Sequence, residues 1–79
     1  MPTTTDLAFC GARLHAERKR SGYSQQELAD ICVALGTATT QSHLSLLEAD
    51  RRRPSVHLLA TLATALGVPV ASLLAQVQQ

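Results

Sequence analysis

The chain has 79 residues, of which 46% are hydrophobic and 3% aromatic, and its formal net charge is +1. A chain of this length forms one small domain, and its charge is far from the strongly basic balance typical of nucleic-acid-binding proteins. No run of β-branched and aromatic residues alternates as in a strand, so we predict an all-α fold without a sheet. No apolar run could span a membrane, so we expect a cytoplasmic protein with no membrane partner.

The residue types that carry catalysis or bind metals are present but not grouped. Cys10 and Cys32 fit no metal or redox spacing, and we expect both to be buried free thiols. His15, His43 and His57 lie at no metal-ligand spacing, and no Ser/His/Asp grouping indicates a nucleophile. We therefore expect no metal, no cofactor, no small-molecule ligand and no enzymatic activity.

Five helices are indicated by apolar residues that recur three and four positions apart between capping residues. The clearest start is the capping box of Ser24 and Glu27, after which the apolar period continues to Leu35 and stops at Gly36. The predicted helices run from Thr5 or Asp6 to about Arg20, over about 25–35, over about 41–49 after the cap Thr40, from Ser55 to Gly67, and from Pro69 onward.

These helices, joined by short connections, predict a compact five-helix bundle. Residues 1–5 are expected to be a flexible N-terminal arm, and residues 6–79 to be the domain. Asp50 is predicted to take the left-handed position after the third helix, where glycine is common.

The basic residues fall into two clusters. All seven lie within residues 13–20 and 51–53, and no acidic residue follows Asp50. The clusters form one positive face if the fold brings them together, or they are two solvated helix ends, where basic residues are favourable in any case.

From about residue 9 to residue 75 the sequence resembles the Cro/CI-type helix-turn-helix repressors, the XRE family. The resemblance implies a lambda-repressor-like DNA-binding domain with a recognition helix in the major groove. It is carried by the order and spacing of these segments: Arg13-Leu14 with Arg18, Gly22 to Ala29, Thr40 to Glu48, the arginine loop with Pro54-Ser55, Leu62 to Pro69, and Leu73-Leu74.

The resemblance implies a role for each part of the motif. Base edges are read by the exposed residues at the start of the recognition helix, and phosphates are held by helix N-termini and basic side chains. Leu46 is expected either to contact a thymine methyl or to be partly buried against helix 2. The predicted base-reading residues are Thr40, Gln41, Ser42, Ser45 and Leu46, and the predicted phosphate-binding residues are Ser24, Gln25, His43, Arg51, Arg52 and Arg53.

Other matching residues are expected to serve the fold or assembly. Arg18 and Glu48 match a partly buried structural salt bridge, so Arg18 is assigned to structure and not to DNA. Leu73, Leu74 and Val77 of the fifth helix are candidates for a dimer interface, or they only close the core.

The chain departs from the family pattern between Ala29 and Thr40, where it is about five residues longer than the helix-turn-helix arrangement requires. The apolar period predicts that this length adds a turn to helix 2 and lengthens the connection to helix 3. Asp50 also replaces the usual glycine.

The sequence thus predicts a transcription regulator, a repressor that binds a palindromic operator in double-stranded DNA as a homodimer. The alternative is an antitoxin-like or protein-interaction module that binds DNA only with a partner.

Overall fold

The computed structural model describes residues 8–75, a chain of four α-helices closed by a short two-stranded ribbon. The predicted arm, residues 1–5, and Val77 lie outside the described residues. In chain order the elements are β1 (Ala8–Phe9), α1 (Gly11–Ser21), α2 (Gln25–Ala34), α3 (Gln41–Glu48), α4 (Val56–Leu66), a 3₁₀ turn (Val70–Leu73) and β2 (Leu74–Ala75).

Helices α2, α3 and α4 begin at the predicted side-chain caps, Ser24, Thr40 and Ser55. In the capping box, Ser24 Oγ accepts from the Glu27 N–H at 3.0 Å and the Ser24 N–H donates to Glu27 Oε1 at 2.8 Å. Each cap satisfies a backbone donor that has no partner within its helix, which is worth about 1 kcal/mol.

Left-handed residues end α1, α3 and α4. Gly22 and Gly67 take this conformation after α1 and α4, as predicted. Asp50 takes it two residues after α3, with φ 59°, and is the only non-glycine residue with positive φ in the described chain.

The first helix begins later than predicted, because the chain before it is extended. Residues 8–9 form β1, which pairs antiparallel with β2, and Cys10 is still extended before α1 starts at Gly11. The apolar residues before Gly11 fitted a helical period, but pairing with a distant strand overrides that local preference. The prediction of no sheet is therefore wrong, because the described residues contain this two-stranded ribbon.

The fifth α-helix is also a wrong prediction within the described residues. Pro69 precedes a single 3₁₀ turn of four residues, and the chain then extends into β2. Leu73 is fully buried in the core, while Leu74 is half-buried opposite Phe9 in the ribbon. This end of the chain closes the core.

Helix α2 packs against both α3 and α4. Cys32 of α2 is buried, and burial raises the pKa of its thiol, whereas Cys10 is only half-buried. Both cysteines are free. The core consists of Leu14, Leu28, Ala29, Cys32, Leu44, Leu47, Leu58, Leu62, Ala63, Leu66 and Leu73.

The start of α1 lies directly on the end of α3. A β-carbon at Gly11 would be 2.6 Å from the carbonyl oxygen of Glu48 and closer still to that of Leu47. The Gly11 N–H donates to Asp50 Oδ1 at 2.8 Å, so Asp50 caps α1 from across the fold. Asp50 therefore combines a left-handed backbone, which aspartate tolerates, with a side-chain acceptor that glycine lacks.

We expect Gly11→Ala to lower the free energy of unfolding by about 1–3 kcal/mol, because the added methyl meets backbone atoms that cannot rotate away. Urea denaturation of the purified protein measures this change. Ser21→Ala, at the exposed end of the same helix, is the control and should change stability by less than about 0.5 kcal/mol. A Gly11→Ala protein as stable as the control would contradict the close approach.

Candidate nucleic-acid interface

The N-termini of α2 and α3 lie side by side on one surface. Gln41, the first residue of α3, donates from Nε2 to Oε1 of Gln25, the first residue of α2, at 2.7 Å. The connection between the two helices leaves from the far end of α2, where the chain turns through Leu35 and Gly36. This connection leaves the two helix starts in contact.

Beneath this contact lies a buried ion pair between α1 and α3. Arg18 Nε donates to Glu48 Oε2 at 2.6 Å, and its Nη2 donates to Glu48 Oε1 at 3.0 Å. The side chains of Arg18 and Glu48 are only 8% and 6% exposed. The third guanidinium nitrogen, Nη1, donates to the carbonyl of Tyr23 at 2.7 Å, which ties the α1–α2 turn to the same arginine.

Glu48 is also bound by α2 and by a surface histidine. Its Oε1 accepts from Gln25 Nε2 at 3.1 Å and lies 2.9 Å from His15 Nδ1. The same His15 Nδ1 lies 3.3 Å from Arg18 Nη2, so the imidazole contacts both partners of the ion pair. Burial by itself would raise the pKa of Glu48, but hydrogen bonds from Arg18, His15 and Gln25 and the charge of Arg18 outweigh burial and lower it.

The carboxylate sets the orientation of two glutamine amides in succession. Gln25 must present Nε2 to Glu48, because the carboxylate offers no donor, and this places the Gln25 Oε1 toward Gln41. Gln41 must then present its own Nε2 to Gln25. One hydrogen on Gln41 Nε2 and the Gln41 Oε1 lone pairs have no partner in this series. Gln41 is exposed at the start of α3.

The other predicted interface residues lie at the start of α2, along α3 and in the loop after α3, and most of them are exposed. Ser24 adjoins Gln25 at the start of α2, and His43 is half-buried in the first turn of α3. An open cleft of about 840 Å³ runs over the start of α2 and is lined by Arg18, Lys19, Tyr23, Gln25 and Gln41 among others. The exposed predicted residues are Ser24, Thr40, Gln41, Ser42, Ser45, Leu46 (38% exposed), Arg51, Arg52 and Arg53.

In the first basic cluster, residues 13–20, two of the four positive charges are paired with glutamates and are less available to bind DNA. Arg18 is committed to Glu48, and Arg20 forms an ion pair with Glu17 on the exposed side of α1. Lys19 is exposed and lines the cleft. The arginine loop after α3 is exposed at all three positions, so it is the denser source of surface positive charge.

Two residues at this site were missed by sequence reasoning. His15 was considered only for its lack of a metal-ligand spacing; it is exposed and also contacts Glu48 from one turn before Arg18. Asp50 was considered only for its left-handed backbone position; its carboxylate also accepts a hydrogen bond from the Gly11 N–H at the start of α1. The spacing of His15 and Arg18, three residues apart on one helix face, was the available clue for the first; nothing local indicated the second.

A family model described as helix-turn-helix matches residues 14–73 of the 79-residue chain. The matched range contains Arg18, both glutamines of the contact, Glu48 and the arginine loop. The chain belongs to the helix-turn-helix family of XRE, Cro/CI-type regulators, which confirms the resemblance. This is a family of DNA-binding regulatory domains, which supports a DNA-binding transcription regulator. No curated protein matches the chain.

Within residues 8–75, no three His, Cys, Asp or Glu side chains are grouped so that they could hold a metal ion. None of the helices in that range has the length and apolar character needed to cross a membrane.

The lowered pKa of Glu48 predicts a specific loss of stability in acid. A carboxylate whose pKa is lower in the folded than in the unfolded protein stabilises the fold above its unfolded pKa, near 4.3, and loses that contribution as pH falls through the folded value. Glu48→Gln should be less stable than wild type by about 3 kcal/mol at pH 7, because Arg18 is left buried without its counter-charge.

We expect this gap to narrow as pH falls below about 5, because only the wild type loses the ionised Glu48. Urea unfolding of both proteins at a series of pH values measures the difference, in which the other carboxylates cancel. A gap that stays constant down to about pH 3 would show that Glu48 does not titrate below its ordinary range.

Proposed function

We propose that this protein is a sequence-specific transcriptional repressor that binds a palindromic DNA operator as a homodimer. The supporting observation is the series of hydrogen bonds from buried Glu48 through Gln25 to exposed Gln41. It fixes the orientation of an amide at the start of α3, the position from which helix-turn-helix proteins read bases in the major groove.

Gln41 is the main base-reading residue in this proposal. With Nε2 turned toward Gln25, the Gln41 amide keeps one donor and its oxygen for a base, which is the pair of groups that recognises adenine. Ser42 and Ser45 can read either kind of edge, and exposed Leu46 suits the methyl of thymine. Thr40 has a smaller role, because its hydroxyl already caps α3.

Phosphates would be held on either side of α3. The start of α2 offers free backbone N–H groups and the positive end of a helix dipole beside Ser24 and Gln25. The arginine loop, Arg51–Arg53, follows the C-terminal end of α3, whereas His43 lies in the first turn of α3. These contacts supply affinity and salt dependence, whereas the base contacts supply sequence preference.

The homodimer is proposed because the base-reading surface of one copy, the exposed side of α3, is small. One recognition helix contacts few base pairs, and two copies related by a two-fold axis double the site length on a palindrome. Repression then requires only that the operator be occupied. The two free cysteines suit a reducing compartment, and we place this activity in the cytoplasm.

We expect Gln41→Ala to weaken binding to the preferred DNA by a free energy of about 1–3 kcal/mol and to leave binding to unrelated DNA almost unchanged, because it removes a base contact. Arg52→Ala should weaken both equally and should make the salt dependence shallower, because it removes a phosphate contact. The preferred sequence is obtained by selection from random DNA, and affinities are measured by fluorescence anisotropy.

Gln26→Ala is the matched control for Gln41→Ala. It is the same substitution at an exposed glutamine, but the Gln26 amide donates to Asp30 along α2 and not toward α3. Equal losses on both DNAs for Gln41→Ala would refute the base-reading assignment. DNA binding that appears only after a second protein is added would refute the proposed function and favour the antitoxin-like alternative.

A further inference from the structure

The charged residues of this protein are confined to two stretches of the chain. All seven basic and six acidic residues lie within residues 6–30 and 48–53. The segments 31–47 and 54–79 therefore contain no Asp, Glu, Lys or Arg. These two segments supply the end of α2, the following turn, α3 as far as Leu47 and all of α4. The α3 surface is assigned to DNA in the proposed function, which leaves the end of α2, the turn and α4.

They meet in a surface that we call the uncharged α4 face, formed by Leu35, Val56, His57, Ala60 and Thr64. Val56 is 85% exposed and Leu35 is 50% exposed, both high values for apolar side chains. A shallow groove of about 190 Å³ runs between Leu35 and the helix, lined also by Thr61. Scattered exposed apolar residues are common, but here they adjoin a groove on a face without charge.

The turn after α2 builds one side of this face. Thr37, in this turn, is buried, and its Oγ1 lies 2.7 Å from Thr61 Oγ1 and 3.0 Å from His57 Nε2. Thr61 Oγ1 in turn donates to the carbonyl of His57 at 3.0 Å. These bonds hold the turn against α4, so Leu35 is presented beside the helix and is not folded into the core.

We propose that two copies of this protein associate through the uncharged α4 face around a two-fold axis. In a two-fold contact the same patch meets itself, so any charge near the axis opposes its own copy. A face without charged residues avoids that repulsion and buries no ion, whereas a charged partner would find no complementary group there. The inference rests on the homodimer of the proposed function and names its interface.

The shape of the face suits close contact between two helices. Ala60 and Thr64 lie four residues apart on the exposed side of α4, where small side chains let backbones approach, and Val56 and Leu35 add apolar area beside them. One 11-residue helix and a turn form an interface at the small end of the known range. The free dimer should therefore be weak and concentration-dependent.

Charge substitutions at Ala60 test this contact. Ala60→Glu and Ala60→Arg should each lower self-association at least tenfold in sedimentation equilibrium, because two like charges meet across the axis. An equimolar mixture of the two variants should associate again, because opposite charges then face each other. Val33→Glu is the control, because Val33 is 53% exposed on the other flank of α2, outside the uncharged α4 face.

A wild-type protein that stays monomeric up to about 1 mM would overturn the proposal. So would a dimer that both Ala60 variants leave intact, or a loss of association equally large in Val33→Glu. Thermal melting of each variant, followed by circular dichroism, checks that the fold is kept.

Binding to a single half-site separates this inference from the proposed function. Ala60→Arg should bind a half-site as well as the wild type does but lose the cooperative gain on the full palindrome. If self-association responds as expected but no DNA is bound, the proposed function fails and the interface stands. If DNA is bound and the Ala60 substitutions do not change self-association, only the proposed interface is refuted.

Discussion

The ion pair between Arg18 and Glu48 is the interaction on which the arrangement of the first three helices depends. Arg18 uses all three guanidinium nitrogens: two on Glu48 at the end of α3, and one on the Tyr23 carbonyl in the α1–α2 turn. Two buried charges are costly to desolvate and are favourable only when their hydrogen-bonding capacity is filled. Here Gln25 and His15 contribute further bonds to the carboxylate, so the pair stabilises the fold and also fixes one relative position of the three helices.

The same carboxylate connects the interior to the surface. Amide side chains can rotate to exchange oxygen and nitrogen at little cost in solvent, so an exposed glutamine has no fixed pattern of donors and acceptors. Glu48 removes that freedom from Gln25, and Gln25 removes it from Gln41. Orienting a reading group before binding lowers the entropy lost when it meets its target. In the proposed function, this structural ion pair contributes to recognition without touching the DNA.

Sequence reasoning succeeded where structure is set locally and failed where it is set by distant contacts. Ser24, Thr40 and Ser55 begin helices because each satisfies a backbone donor within three residues, and such bonds are visible as short patterns. The ribbon at the chain ends depends on residues 8–9 meeting 74–75, which no local pattern encodes. The roles of Gly11 and Asp50 were missed for the same reason, since they meet across 39 positions. The family match supplied what periodicity could not, the identity of the motif.

The two ends of α2 contact different helices. Its start contacts α3 through Gln25, and the turn after its end is held against α4 through Thr37. The connection to α3 therefore leaves from the end of α2 that lies away from the glutamine contact, which stays at 2.7 Å. Hydrogen bonds from Thr37 to Thr61 and His57 anchor this connection on α4. The position of the connection is thus constrained by the glutamine contact at one end of α2 and by the bonds to α4 at the other.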